Sequence, residues 1–300
     1  MSVNSGDYAS IWTYLCQLGF TQGYVEAGGI RTRYVQAGPK DAPALVMVHG
    51  MGGSWENCFG NLPAHAAHFN TFALDLVGHG FSGKPDKVFE IADYVAHLKG
   101  FLDAMGIERT SFIGVSLGSW VTTKFTTLYP ERVDKVTMVS AWGRPRAGAN
   151  VQIAEESEEV KQGKAARLAA VANPTWPAME AVFAGLIKEP QKRLPDLLAV
   201  RQAIYRQPEM KQAMANILGG IDPKIWARNA LTDREVSGIR KPYLIFASID
   251  SKDEFLESSY AYQKLIPNAR LIEMTGAWHW PQWERVDEFN RRNLEFLLAP

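Results

Sequence analysis

Two short apolar runs, Ala44-Leu45-Val46-Met47-Val48 and Thr71-Phe72-Ala73-Leu74, are each followed by a glycine-bearing segment. Unbroken apolarity without alternation suits a strand buried on both faces, so both runs predict central strands of a parallel sheet. From Ile91 to Met105 the apolar positions Ile91, Tyr94, Val95, Leu98, Phe101, Leu102 and Met105 recur at helical spacing, and Gly106 supplies a left-handed stop. A strand over 111–115, a second helical pattern through Tyr129 and a strand over 133–140 follow. Strand and helix in alternation predict an α/β protein with a doubly wound, mostly parallel sheet.

The pattern changes after Trp142. Residues 144–232 hold charged, helical stretches interrupted by Pro174, Pro177, Pro190, Pro195, Pro208 and Pro223, with no strand pattern. This predicts a helical insertion over the sheet, dividing the chain into a core part (1–143), a helical lid (144–232) and a second core part (233–300). Strands resume at 242–247 and 270–274. The chain closes with Trp283, Val286, Phe289, Leu294, Leu297 and Leu298 on one helical face.

Composition narrows the function classes. A chain of 300 residues with 46% hydrophobic content can bury a large core. Its 32 basic and 32 acidic residues cancel, which gives no electrostatic reason to expect nucleic acid or an anionic membrane as partner. A small-molecule substrate is expected instead. Cys16 and Cys58 are too few for a disulfide framework. The first twenty residues lack the basic and apolar regions of a secretory signal, and no window reaches the roughly eighteen apolar residues of a membrane helix. A cytoplasmic location is expected; a homo-oligomer is left open. His65 and His68 at three-residue spacing lack further nearby ligands, so neither a metal nor a cofactor is expected.

The most informative residues are Gly114-Val115-Ser116-Leu117-Gly118, a G-x-S-x-G sequence where a predicted strand turns into a predicted helix. Such an elbow holds its serine in a strained conformation with the hydroxyl projecting from the sheet, and flanking side chains would collide with neighbouring backbone. A serine hydroxyl needs an adjacent base. His279 directly follows the last predicted strand, in Gly276-Ala277-Trp278-His279-Trp280, where loops of this architecture carry function. The plainer alternative is a histidine packed between two tryptophans. His49-Gly50-Met51-Gly52-Gly53 follows the Ala44–Val48 strand and offers backbone N–H groups for a developing oxyanion.

With HGMGGS at 49–54, DLVGHGFS at 75–82 and GVSLG at 114–118, the chain resembles the α/β-hydrolase superfamily over nearly its whole length. The resemblance implies that fold, with a helical lid after its sixth strand. It also implies the order nucleophile, acid, histidine, which leaves His279 because the other five histidines precede Ser116. Met51 and Leu117 would supply the oxyanion N–H groups. The stretch His279-Trp280-Pro281-Gln282-Trp283-Glu284, with Asp287-Glu288-Phe289-Asn290-Arg291, Ser54-Trp55-Glu56-Asn57, and Leu197-Leu198 through Arg201 to Arg206-Gln207-Pro208-Glu209, resembles the meta-cleavage product hydrolases. These cleave a carbon–carbon bond in 2-hydroxy-6-oxo-dienoates formed by ring-opening dioxygenases in aromatic or steroid breakdown. That resemblance implies substrate contacts at Asn57, Arg201 and Trp280, with Arg201 on the carboxylate.

At the acid the pattern breaks. Where the family reads Gly-x-x-Asp after the strand, this chain has Ser248-Ile249-Asp250-Ser251. Asp250 is the preferred substitute by proximity, and Asp253 is the other candidate. The same serine, histidine and oxyanion turn would also suit a carboxylesterase or lactonase. Ser251 alone supports a third reading, a non-catalytic ligand-binding homologue.

Overall fold

Eight strands form one sheet in the order β1-β2-β4-β3-β5-β6-β7-β8 in the computed structural model, which describes residues 10–144, 156, 158–251 and 253–300. They are β1 (Phe20–Ala27), β2 (Ile30–Ala37), β3 (Ala44–Val48), β4 (Asn70–Leu74), β5 (Thr110–Val115), β6 (Val133–Val139), β7 (Tyr243–Ser248) and β8 (Ala269–Met274). β3 to β8 run parallel, and β1 and β2 are antiparallel. Every residue of β5 and of β7 is buried, which explains their largely apolar sequence. Each large aliphatic side chain buried there contributes about 1.5–3 kcal/mol.

The β1–β2 hairpin is not announced by a hydrophobic run. β1 is mostly exposed or half-buried, and the buried positions of β2 include the polar Thr32 and Arg33, so polar side chains dilute the signal. Its turn is nevertheless written in the chain: Gly28 and Gly29 take φ 59° and 81°, the two positive values that a tight two-residue hairpin turn needs.

The order of the central strands locates the crevice. From β3 the chain moves to β4 on one side and then returns to β5 on the other, so the connections leaving the carboxyl ends of β3 and β5 diverge. Ligands bind at such a reversal point in open α/β sheets. Between β6 and β7 the described chain forms the helices Glu158–Ala172, Trp176–Ala184, Pro195–Tyr205, Met210–Gly219, Pro223–Asn229 and Asp233–Ser237. Pro177, Pro195 and Pro223 stand in the first turns of their helices, where a missing N–H costs nothing. The last helix, Val286–Leu298, returns to the sheet, with the Phe289 ring 4.4 Å from that of Phe246. No helix among the described residues is long and apolar enough to cross a membrane.

Candidate active site

Ser116 occupies the bend between β5 and the helix Leu117–Leu128, at φ 53° and ψ −114°. A non-glycine residue in this region costs roughly 1–3 kcal/mol and persists only where its surroundings impose it. Here they do. The Ser116 N–H donates to the Val139 carbonyl at 2.9 Å, and a Cβ on Gly118 would lie 2.2 Å from the Val48 carbonyl oxygen. Glycine at 118 therefore lets the helix N-terminus close onto β3. The positive end of that helix faces the elbow, which favours developing negative charge.

The turn after β3 lies directly against the nucleophile. A Cβ on Gly50 would be 3.1 Å from the Ser116 Cβ, and the turn is closed by the Gly53 N–H donating to the Gly50 carbonyl at 3.0 Å. Among the described residues the Met51 and Leu117 N–H groups enter no backbone hydrogen bond. Behind the turn Asn57 is buried and half engaged: its Oδ1 accepts from the Ser54 N–H at 2.9 Å, while its Nδ2 has no partner. A buried triad fixes this region from below. Arg33 reaches Asp75 at 2.7 Å and Glu56 at 2.8 Å, and the Trp55 and Phe81 N–H groups donate to the Asp75 carboxylate. Burial and the Asp75 charge raise the Glu56 carboxyl above its ordinary range.

His279 sits on the loop after β8, tethered at both sides. Its carbonyl accepts from Ser140 Oγ at 2.6 Å, and the Trp278 N–H donates to Glu284 Oε1 at 2.7 Å. The Phe255 ring packs edge-on to the imidazole, with centroids 4.3 Å apart. Burial pushes the imidazole pKa down to about 4; the Asp253 charge opposes the shift and the Arg167 charge adds to it. The ring is therefore neutral, the form a general base requires. Among the described residues, neither this ring nor the Ser116 hydroxyl takes part in a side-chain hydrogen bond.

The two acid candidates are placed differently. Asp250, the substitute preferred from sequence proximity, turns its Oδ2 to Lys188 Nζ at 2.6 Å and to the Gly276 N–H at 2.9 Å. It links the segment after the helix Trp176–Ala184 to the histidine loop. Asp253 caps the helix Glu254–Leu265 through the Phe255 and Leu256 N–H groups and accepts from Ser251 Oγ at 3.0 Å. Its charge is the one that acts on His279.

A cavity of about 520 Å³ opens above Met51 and Gly52, walled by the helices Glu158–Ala172, Trp176–Ala184 and Pro195–Tyr205. Arg201 lines it while only 3% exposed, its guanidinium carbon 5.2 Å from the Phe183 ring centroid and 5.6 Å from that of Tyr205. Its Nε has no partner. Trp280 is buried edge-on to Phe183 at 5.8 Å, outside the residues that line the cavity.

Sequence reasoning missed three groups. Arg167 also lines the cavity, with Nη1 3.0 Å from Met51 Sδ. Ser140, at φ 49°, holds the histidine loop. Glu284 accepts the Lys188, Glu189 and Trp278 N–H groups, and burial raises its carboxyl pKa. Glu284 lies inside the quoted His279–Glu284 stretch, so its spacing carried a signal; Arg167 and Ser140 have none. Four further histidines are structural. His49 donates to the Gly50 carbonyl and accepts from the Leu76 N–H, and His65, His79 and His97 are likewise buried and bonded. No cluster of metal-ligating side chains occurs among the described residues.

A serine elbow after one central strand, an amide-bearing turn after its neighbour and a histidine after the last strand define an alpha/beta hydrolase fold. The sequence model of that family matches residues 43–286, and the chain belongs to it. It is 26% identical over 279 residues to the 2-hydroxy-6-oxo-2,4-heptadienoate hydrolase of Pseudomonas putida strain F1, a match spanning 92% of this chain and 95% of that one. The 2-hydroxy-6-oxo-6-phenylhexa-2,4-dienoate hydrolase from Rhodococcus sp. strain RHA1 superposes with a TM-score of 0.80 at 22% identity, over 94% of this chain and all of that one. A carboxylesterase from Bacillus subtilis superposes at 0.79 with 21% identity, over 96% and 94%.

Proposed function

We propose that the chain is a serine-dependent hydrolase of 2-hydroxy-6-oxo-dienoates, cleaving the carbon–carbon bond beside the remote ketone. The observation that carries this reading is Arg201: a guanidinium 3% exposed, lining a cavity at the oxyanion turn, with an unpartnered Nε. A buried unpaired cation is costly unless a ligand neutralises it, and a substrate carboxylate is the matching group. Similarity to the hydrolases named above points the same way.

The residues would act in sequence. Arg201 holds the carboxylate; the dienol tautomerises as its hydroxyl proton is lost from oxygen and a proton is gained at the carbon beside the remote carbonyl, and the free Nδ2 of Asn57 donates a hydrogen bond to the resulting ketone oxygen. His279 takes the Ser116 proton as the hydroxyl oxygen attacks the remote carbonyl. The Met51 and Leu117 N–H groups hold the oxyanion. Collapse breaks the carbon–carbon bond, the departing carbon takes the proton from His279, and water activated by the same ring releases the acyl group. Asp253 faces His279 and stabilises its charged form, in preference to Asp250. Hydrogen bonds among such groups commonly tighten only in the substrate complex. The helices between β6 and β7 form the lid, and two free thiols suit a reducing cytoplasm.

The test is decay of the yellow dienolate absorbance on adding protein, lost in Ser116→Ala. Absence of decay across several ring-fission products overturns the reading. Turnover of nitrophenyl esters, unaffected by Arg201→Met, would instead favour the carboxylesterase reading, for which the Bacillus subtilis superposition speaks.

A further inference from the structure

The loop that carries His279 is fastened to one wall of the cavity, and a buried carboxylate makes the fastening. The helix Trp176–Ala184 turns Ala178, Ala181 and Val182 to the cavity, and Gly185 and Leu186 continue that wall. The Ile187 N–H still donates to the Phe183 carbonyl at 2.9 Å, so the exit stays wound on the helix. The next two N–H groups, of Lys188 and Glu189, both donate to Glu284 Oε2, at 2.7 and 3.1 Å. Glu284 Oε1 accepts the Trp278 N–H at 2.7 Å. One oxygen therefore takes the cavity wall and the other takes the residue before His279.

Two further contacts join the same parts. Lys188 Nζ meets Asp250 Oδ2 at 2.6 Å, and that oxygen accepts the Gly276 N–H at 2.9 Å. Beyond His279, the Trp280 ring lies edge-on to that of Phe183, on the cavity-wall helix, at 5.8 Å. Residues 276, 278 and 280 are thus each tied to the segment 183–189. The His279 ring packs on Phe255 but takes part in no side-chain hydrogen bond among the described residues, so its aim follows the loop.

We infer that Glu284 is a positioning residue for the base: with Lys188 it locks the His279 loop to the cavity wall and so aims the imidazole at Ser116. This rests on His279 serving Ser116 as base, as proposed above. The bridge needs an acceptor at both ends. Glutamine keeps one oxygen, but its NH2 group then meets an N–H, donor against donor, and one half of the bridge opens. A base displaced by about 1 Å costs up to about 100-fold in rate, while binding made elsewhere is untouched.

Labelling of Ser116 by an alkyl fluorophosphonate tests this in the full-length protein, because it needs nucleophile and base but no dienoate. In Glu284→Gln the maximal labelling rate should fall about tenfold with the half-saturating probe concentration unchanged. Lys188→Met removes only a partly exposed side-chain tie and should lower the maximal rate about threefold, whereas Lys188→Arg keeps the pair with Asp250 and should match the parent chain. An unchanged maximal rate in Glu284→Gln overturns the inference even if thermal stability falls, as does a change confined to the half-saturating concentration. If Glu284→Gln does not fold, the two Lys188 variants decide, and equal rates in them overturn it. Labelling that follows the expected pattern without turnover of any dienoate removes the substrate reading and leaves the positioning role. Dienoate turnover with unchanged labelling in Glu284→Gln does the reverse, and failure to label the parent chain at all overturns both.

Discussion

The Ser140 hydroxyl donates to the His279 carbonyl across 2.6 Å, one residue after Val139, whose carbonyl accepts the Ser116 N–H at 2.9 Å. The end of β6 thus holds the nucleophile with one residue and the base with the next. Ser140→Ala removes one of these ties and leaves the strained φ of 49° in place. We expect stability to fall by about 1 kcal/mol, the worth of one hydrogen bond, and kcat to fall about 10- to 100-fold through misplacement of the ring. Thermal unfolding and steady-state kinetics on one preparation check both.

Asp253→Asn and Asp250→Asn separate the acid candidates. Asparagine caps a helix as well as aspartate, so Asp253→Asn keeps the helix Glu254–Leu265 while removing the charge facing His279. Its expected loss in kcat is up to about 10⁴-fold with stability nearly unchanged. Asp250→Asn keeps an acceptor for the Gly276 N–H and loses a partly exposed pair with Lys188, so kcat should change less than about tenfold, alongside at most about 1 kcal/mol of stability. The opposite ranking would assign the role to Asp250.

The neutral imidazole of His279 is the working form, and its pKa is pushed down to about 4. The profile of kcat/KM against pH should therefore stay level from neutrality into mild acid and fall only as pH approaches that value. Arg167→Met takes away a positive neighbour, which eases protonation and moves the limb to higher pH. Asp253→Asn moves it lower. The folded chain also keeps His49, His65 and His97 neutral, at pKa values of about 3, about 4 and about 4. The unfolded chain binds those protons near pH 6.5, so stability is retained above that pH and declines as pH falls towards 4. Denaturant midpoints measured across this window test the sign.

Gly118→Ala places a methyl 2.2 Å from the Val48 carbonyl oxygen, where neither strand nor helix can withdraw without opening the sheet. The expected cost is about 3 kcal/mol or an insoluble product. Gly163→Ala, with nothing within 4 Å, is the matched control and should be neutral or slightly stabilising.

Sequence pattern made the central parallel strands legible because they are buried on both faces, and the elbow legible because steric crowding demands its glycines. The hairpin Phe20–Ala37 was less so, since its exposed face dilutes the period with polar residues. At the site, Ser116 and His279 stand out because each follows a readable strand. The acid does not: Ser251 removes the usual marker, and sequence proximity favours Asp250, whereas its contacts with Lys188 and Gly276 depend on how the loop folds. Arg167 lies on a helix with little amphipathic contrast, where an arginine facing a cavity and one facing water look alike.

The family match begins at residue 43, yet the buried cation beneath the oxyanion turn is Arg33. Cutting the chain at the family boundary would keep every motif residue and leave Asp75 and Glu56 as two interior carboxylates facing each other without the guanidinium that bonds both. The smallest portion able to support the loop at Met51 is accordingly larger than the recognised module, and its N-terminal hairpin serves as an electrostatic foundation for that loop.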